Sequence, residues 1–148
     1  MERILKALLA SILLLILLSN FFHCCVQEPN IIVVSRAVDG DTLELENGEF
    51  VRLLGINTPE KGQPFYEEAK IELKGLVEGK KIRLEEDGVD RDVYGRLLRY
   101  VFVNEFFVNA EMVRRGYSKS LNGPSSKYYI EFKTAERIAK AERLGIWK

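Results

Sequence analysis

The sequence predicts an α+β fold that is mainly β: a five-stranded barrel with one helix after the third strand and two C-terminal helices. Three observations carry that expectation. Short β-branched or alternating apolar runs recur between Ile31 and Val103, separated by Asp-Gly, Asn-Gly and other glycine turns. One helical period interrupts them, between Phe65 and Val77. Helical periods return after Val108 and continue to the end of the chain.

The elements follow in order. Ile31 to Val38 is rich in valine and isoleucine and reads as a strand, broken by Asp39-Gly40-Asp41. Thr42 to Leu45 alternates, and Asn47-Gly48 is a strong hairpin signal, so Glu49 to Ile56 returns as the partner strand. Pro64 suits a first helical position, with Glu67 and Glu68 in the first turn of a helix over Phe65 to Val77. Gly79 ends it. Lys80 to Glu86 alternates as the fourth strand, Asp87 to Gly95 is a charged loop, and Leu97 to Val103 is the fifth strand. Val108 to Arg115 is a short helix. Ser125 or Ser126 caps a last helix that runs to Gly145, with Phe132, Ala135, Ile138 and Leu144 inward. Five strands with a helix between the third and fourth match the OB arrangement.

The 148 residues allow one domain and not comfortably two. Residues 1–29 read as a signal sequence or N-terminal membrane anchor, and 30–148 as the folded domain. Arg3 and Lys6 precede an apolar block from Ala7 to Leu18 that has only Ser11 as a polar interruption. No small-x-small cleavage site stands out, which favours retention as an anchor. Basic residues before the block put the domain outside the cytoplasm, membrane-anchored or secreted. His23, Cys24 and Cys25 adjoin one another, without the separated pairs of a zinc site. No cysteine follows, so the core alone stabilises the domain.

The chain has 22 basic and 22 acidic residues. Residues 1–25 hold two basic and one acidic, leaving the rest at 20 and 21, a net of −1. A neutral domain is not a general polyanion binder, so nucleic acid would need locally concentrated positive charge.

Four motifs could carry chemistry: Asp39-Gly40-Asp41-Thr42, Arg52-Leu53-Leu54-Gly55-Ile56-Asn57-Thr58-Pro59-Glu60, Asp92-Val93-Tyr94-Gly95-Arg96 and Leu144-Gly145-Ile146-Trp147. Each has a plain structural explanation. Asp-Gly-Asp is a common turn. Thr58-Pro59-Glu60 suits a helix N-terminus. Tyr94-Gly95-Arg96 suits a β-turn, and the last motif suits a helix stop with an aromatic tucked onto the barrel.

Taken together, in this order and spacing, the motifs resemble the staphylococcal nuclease (thermonuclease) family over roughly Val33 to Trp147. That resemblance implies a calcium-dependent nuclease acting on DNA and RNA with little sequence preference. It implies a Ca2+ site in which Asp41 supplies a carboxylate, Thr58 its backbone carbonyl, and position 57 a second side-chain ligand. It implies that Glu60 is the general base and that Arg52 and Arg96 bind the phosphate, with Tyr94 packing on sugar or base. The chemistry is consistent: calcium takes hard oxygen donors, and guanidinium groups bind phosphoryl oxygens bidentately.

Two features depart from the family pattern. Position 57 is Asn, which keeps an oxygen but removes one formal charge, so weaker calcium binding is expected, by about one to two orders of magnitude. The loop Ser118 to Lys127 lacks aromatics, with Tyr128 and Tyr129 coming only at the start of the last helix. Two other readings stand beside the nuclease. One is a catalytically inactive OB-fold module, tethered to the membrane, that binds nucleic acid or protein. The other is a structural domain in which the motifs are only turns. The expected protein is a monomer.

Overall fold

A computed structural model describes residues 31–121 and 123–148. The expected signal or anchor segment, with His23, Cys24 and Cys25, lies outside the described residues. Among the described residues no helix is long and apolar enough to cross a membrane.

Five strands close into a barrel. β1 (Ile31–Ala37), β2 (Thr42–Leu45) and β3 (Phe50–Leu53) form an antiparallel meander. After β4 (Ile56–Asn57) and α1 (Tyr66–Val77) come β5 (Lys81–Glu85) and β6 (Leu97–Val103), which pair antiparallel. β3 pairs with β6 in parallel, and β5 returns to β1. One strand, β1, serves both ends of this circuit. Its first half, Ile31 to Val33, pairs with β5, and its second half pairs with β2 across an irregularity between Val34 and Arg36. Such a bulge bends a strand from one sheet into the next, which is how a small barrel closes without exposing an edge.

β7 (Phe106–Phe107) extends β6 as a hairpin and leads into α2 (Val108–Arg114). β8 (Lys119–Ser120) pairs with β4, and α3 (Tyr129–Ala141) precedes a 3-10 turn at Gly145–Trp147. The barrel interior holds Leu43, Leu45, Val51, Leu53, Ile82 and Val101, all buried. α1 contributes Ala69, Leu73 and Val77 at helical spacing, α2 contributes Met112 and Val113, and α3 contributes Phe132 and Ala135. Between barrel and helices, Tyr100, Phe102, Phe107, Tyr128 and Phe132 pack ring against ring, with centroids 4.6 to 6.2 Å apart.

The expected architecture is the one observed, with local corrections. The third strand does not run through to Ile56. It stops at Leu53, turns at Leu54 and Gly55 (φ 74), and resumes as β4 on a different partner. Pro64 is not the first helical residue. It lies in a turn, and Phe65, the N-cap residue, takes a left-handed conformation at φ 69. Neither Ser125 nor Ser126 caps the last helix. The Ser126 hydroxyl donates to the Gly123 carbonyl at 2.8 Å, and the helix starts three residues later. It also ends at Ala141, short of Gly145; Ala139 takes an inward place, while Ile138 and Leu144 are only half-buried.

Candidate active site

The turn after β1 sets the site. The Asp39 carboxylate accepts the Asp41 backbone N–H at 2.9 Å, an Asx turn that aims the next side chains across the barrel end. Gly40 allows the turn to pack closely: a Cβ there would fall 2.8 Å from both Ala69 Cβ and Thr58 Oγ1. The turn explanation for Asp-Gly-Asp is therefore correct as far as it goes. It leaves Asp41 buried and facing β4.

Asp41 gathers four donors. Its Oδ2 accepts the Thr58 backbone N–H and the Thr58 hydroxyl, both at 2.9 Å. Its Oδ1 lies 3.1 Å from Arg52 Nε and accepts the Thr42 hydroxyl at 3.3 Å. Burial pushes the Asp41 carboxyl above the usual range, although Arg52 and the Thr58 N–H both pull it down and Asp39 adds a like charge. A carboxylate so placed has more desolvation than its neighbours offset. Thr58 does not cap a helix, since α1 begins only at Tyr66.

Arg52 spans the site from β3. Nη1 donates to the Leu53 carbonyl at 2.7 Å, and Nη2 donates to the Asn57 side-chain oxygen at 3.1 Å. Arg96 arrives from the opposite side. The Asp92 carboxylate accepts the Tyr94 and Arg96 backbone N–H groups at 2.9 and 3.0 Å and Arg96 Nε at 2.8 Å, so this loop is indeed a turn. Arg96 Nη1 then donates to Thr42 Oγ1 at 3.1 Å. Thr42 thus accepts from Arg96 and donates to Asp41, which connects the two arginines through one buried carboxylate. Tyr94 is 81% exposed, with the Arg96 guanidinium 5.4 Å from its ring centroid.

Glu60 is exposed beyond β4. Its backbone N–H donates to Gln63 Oε1 at 2.8 Å, and among the described residues its carboxylate makes no hydrogen bond or ion pair. Asp41, Arg52, Asn57 and Thr58 are therefore joined directly and Arg96 through Thr42, while Tyr94 stays exposed beside Arg96 and the Glu60 carboxylate is exposed at the edge.

Four further residues shape the site without having been singled out from the sequence. Asp39 is the second carboxylate, present in the same Asp-Gly-Asp motif. Tyr66 lies close enough to Asp39, Glu67 and Glu60 that burial and these carboxylates raise its phenol. Ser118, fully buried, accepts the Asn57 backbone N–H at 3.0 Å. Asn109 is fully buried too. Its oxygen accepts the Val101 N–H at 2.9 Å, and its amide donates to the Leu54 carbonyl at 2.9 Å and the Arg99 carbonyl at 3.3 Å. That amide fixes the Leu54–Gly55 turn from which β4 departs.

The oxygens of Asp39, Asp41, Asn57 and Thr58 suit a hard divalent cation in kind. The under-compensated charge on Asp41 suits a further positive charge. Among the described residues no group of three or more Asp, Glu, His or Cys side chains is placed to hold a metal ion.

The family described as staphylococcal nuclease homologue matches residues 50–148. This chain belongs to that family. The SPbeta prophage-derived endonuclease YokF of Bacillus subtilis is 40% identical over 128 residues, covering 78% of this chain and 43% of that protein. Endonuclease YncB of the same organism is 38% identical, covering 78% of this chain and 61% of YncB. The thermonuclease of Staphylococcus intermedius is 32% identical over 126 residues, covering 78% of this chain and 75% of that enzyme. The chain thus spans about half the length of the two Bacillus relatives, and the residues matched by the family take in three of the four motifs, with Asp39-Gly40-Asp41-Thr42 lying before them.

Proposed function

We propose that this protein is a calcium-dependent phosphodiesterase that hydrolyses DNA and RNA with low sequence specificity. One observation supports it most: a single buried carboxylate, Asp41, connects to Arg52 directly and to Arg96 through Thr42, so two always-charged forks belong to one hydrogen-bond network at the barrel end. Two guanidinium groups joined in this way can hold one phosphate and offset the charge that grows on its oxygens as it is attacked. The relatives that carry nuclease names support the same reading.

In this reading Arg52 and Arg96 bind and orient the scissile phosphate. Glu60, exposed and without a partner among the described residues, takes a proton from a water as the water oxygen bonds to phosphorus. The P–O5′ bond breaks in line, leaving a 3′-phosphate. Tyr94 stacks on sugar or base, a contact that tolerates any base. Asp41, the Asn57 side-chain oxygen and the Thr58 carbonyl would hold the calcium ion. When bound, that ion supplies positive charge to the phosphate and helps position the water. On taking phosphate Arg52 would release Asn57, whose amide oxygen is the one that would hold the metal.

The apolar segment before the domain, preceded by Arg3 and Lys6, supports a location outside the cytoplasm, anchored or secreted, with the domain working as a monomer. A non-hydrolysing nucleic-acid-binding module is the second reading, and the Arg52–Asn57 contact favours it, because it commits one oxygen of the metal set to the protein. End-group analysis separates the two. The full chain with DNA and with RNA should yield 3′-phosphate and 5′-hydroxyl ends; 5′-phosphate ends would contradict the assigned direction of cleavage, and intact substrate would favour the binding module.

A further inference from the structure

Beside Asn57 and Thr58 of the proposed metal set the surface hollows into a pocket of about 470 Å3, whose remaining lining residues have no role above. Four separate parts of the chain build it. Thr58 and Pro59 follow β4, Pro64 and Phe65 belong to the turn before α1, and Lys119 and Ile146 come from β8 and the terminal 3-10 turn. The apolar floor is held rigidly. Ile146 donates its N–H to the Gly116 carbonyl at 2.9 Å. The backbones meet so closely there that a Cβ on Gly145 would fall 2.1 Å from the Gly116 oxygen. Phe65 lines the pocket from a left-handed backbone at φ 69, a conformation that a bulky side chain disfavours.

Charge at this pocket is one-sided. Lys148 Nζ lies 5.8 Å from the Phe65 ring centroid, and Lys119 lines the wall. Most arginines and several lysines of the domain are ion-paired, yet among the described residues neither of these two has a carboxylate partner. The pocket also lies on a particular side of the reaction centre. Asp41 leads to the pocket through Thr58 and through Arg52 and Asn57, while Arg96 and Tyr94 are reached the other way, through Thr42.

We propose that this pocket is a second-nucleotide subsite, which takes the nucleotide on the Thr58 side of the scissile phosphate. Its base and sugar lie on Phe65, Pro64 and Ile146, and its outer phosphate meets Lys119 and Lys148. The inference rests on the phosphodiesterase reading above. An aromatic face and a proline ring read no base edge, so the subsite tolerates any base and responds to strand length instead. The enzyme then prefers substrates that continue past the scissile bond on this side.

Two substrates test it on the full chain. Thymidine 5′-(p-nitrophenyl phosphate) has a scissile phosphate but no second nucleotide; oligothymidylate has both. The double variant Lys119→Gln, Lys148→Gln should raise KM for oligothymidylate by about tenfold and leave kcat/KM on the p-nitrophenyl ester within about twofold. Phe65→Ala should do the same through lost stacking. Fluorescent oligothymidylate, bound to a Glu60→Gln background, gives an independent measure. Losing two phosphate contacts should flatten the slope of log Kd against log salt by about 1.4. Unchanged KM and slope would overturn the subsite, as would equal losses on both substrates. If the wild type cleaves neither substrate, the nuclease reading fails by itself, and the salt slope still decides the pocket.

Discussion

Arg52 donates from Nη2 to the side-chain oxygen of Asn57 at 3.1 Å, while its Nε lies 3.1 Å from Asp41. One guanidinium therefore bridges two side chains of the proposed metal set. An asparagine there offers the arginine a neutral acceptor, which is easily surrendered. Asn57→Asp would add a charge facing both Arg52 and the metal. Because charge count tunes calcium affinity, the calcium concentration for half-maximal hydrolysis should fall by about 10- to 100-fold in Asn57→Asp. A calcium titration of initial rates checks this, and an unchanged midpoint would remove Asn57 from the metal set.

Arg96 is oriented by two hydrogen bonds to the Asp92 carboxylate, from its backbone N–H and from Nε, and donates from Nη1 to Thr42. A lysine keeps the charge but has no fork. Arg96→Lys should therefore lower kcat by about 100-fold while the fold is retained. Steady-state kinetics with circular dichroism as a fold control measures both. A kcat near wild type would mean that Arg96 contributes charge alone.

The barrel order and most elements were legible in the sequence because turn chemistry and alternation point the same way along this chain. Asn47-Gly48 closes β2 onto β3 as its composition demands, and Asp39-Gly40-Asp41 turns where an Asx turn should. The break in the third strand was not legible. Leu53-Leu54-Gly55-Ile56 is one apolar run, and only the β8 partner and the positive φ of Gly55 show that the chain changes sheets. Asn109 was equally hidden. It sits between Val108 and Ala110 on a short helix and reads as an ordinary polar residue, and its partners, Leu54 and Val101, are brought to it only by the tertiary fold. Among the candidate site residues, Asp41, Arg52, Thr58 and Arg96 were visible from their motifs, yet the relay through Thr42 depends on β2 lying between two loops far apart in sequence.

Asn109→Ala removes a buried amide that satisfies three backbone groups. At least two of them, the Val101 N–H and the Leu54 carbonyl, would lose that partner. Denaturant unfolding should show a loss of about 2–4 kcal/mol. Because the Leu54–Gly55 turn positions β4, activity should also fall at denaturant concentrations below the unfolding midpoint. A loss under 0.5 kcal/mol, on the order of an exposed substitution, would contradict the stapling role.

Glu111, on α2, is ion-paired with Arg114 and Arg115, and Arg115 also pairs with Glu72 of α1. Burial raises the Glu111 carboxyl, but the hydrogen bonds from both arginines outweigh it, and the net direction is down from 4.5. A depressed folded value means that the unfolded chain binds the proton more readily. The stabilisation is thus present above the unfolded value and is lost as pH falls through the folded one. Glu111→Gln should cost about 1–3 kcal/mol at neutral pH, and the cost should shrink as the pH drops well below 4.5. Urea midpoints of wild type and variant over that range test it; a pH-independent difference would mean that packing, not charge, accounts for the loss.

The central claim is that Glu60 removes a proton from the attacking water at a site where two arginines hold the phosphate. Its most direct test is the rate of single-stranded DNA hydrolysis by the full chain over a calcium titration, with Glu60→Gln in parallel. The account predicts calcium-dependent cleavage by the wild type, cleavage by Glu60→Gln reduced to background, and equal DNA binding by the two proteins. Cleavage by Glu60→Gln at the wild-type rate, or a wild type inert at every calcium concentration, would contradict it.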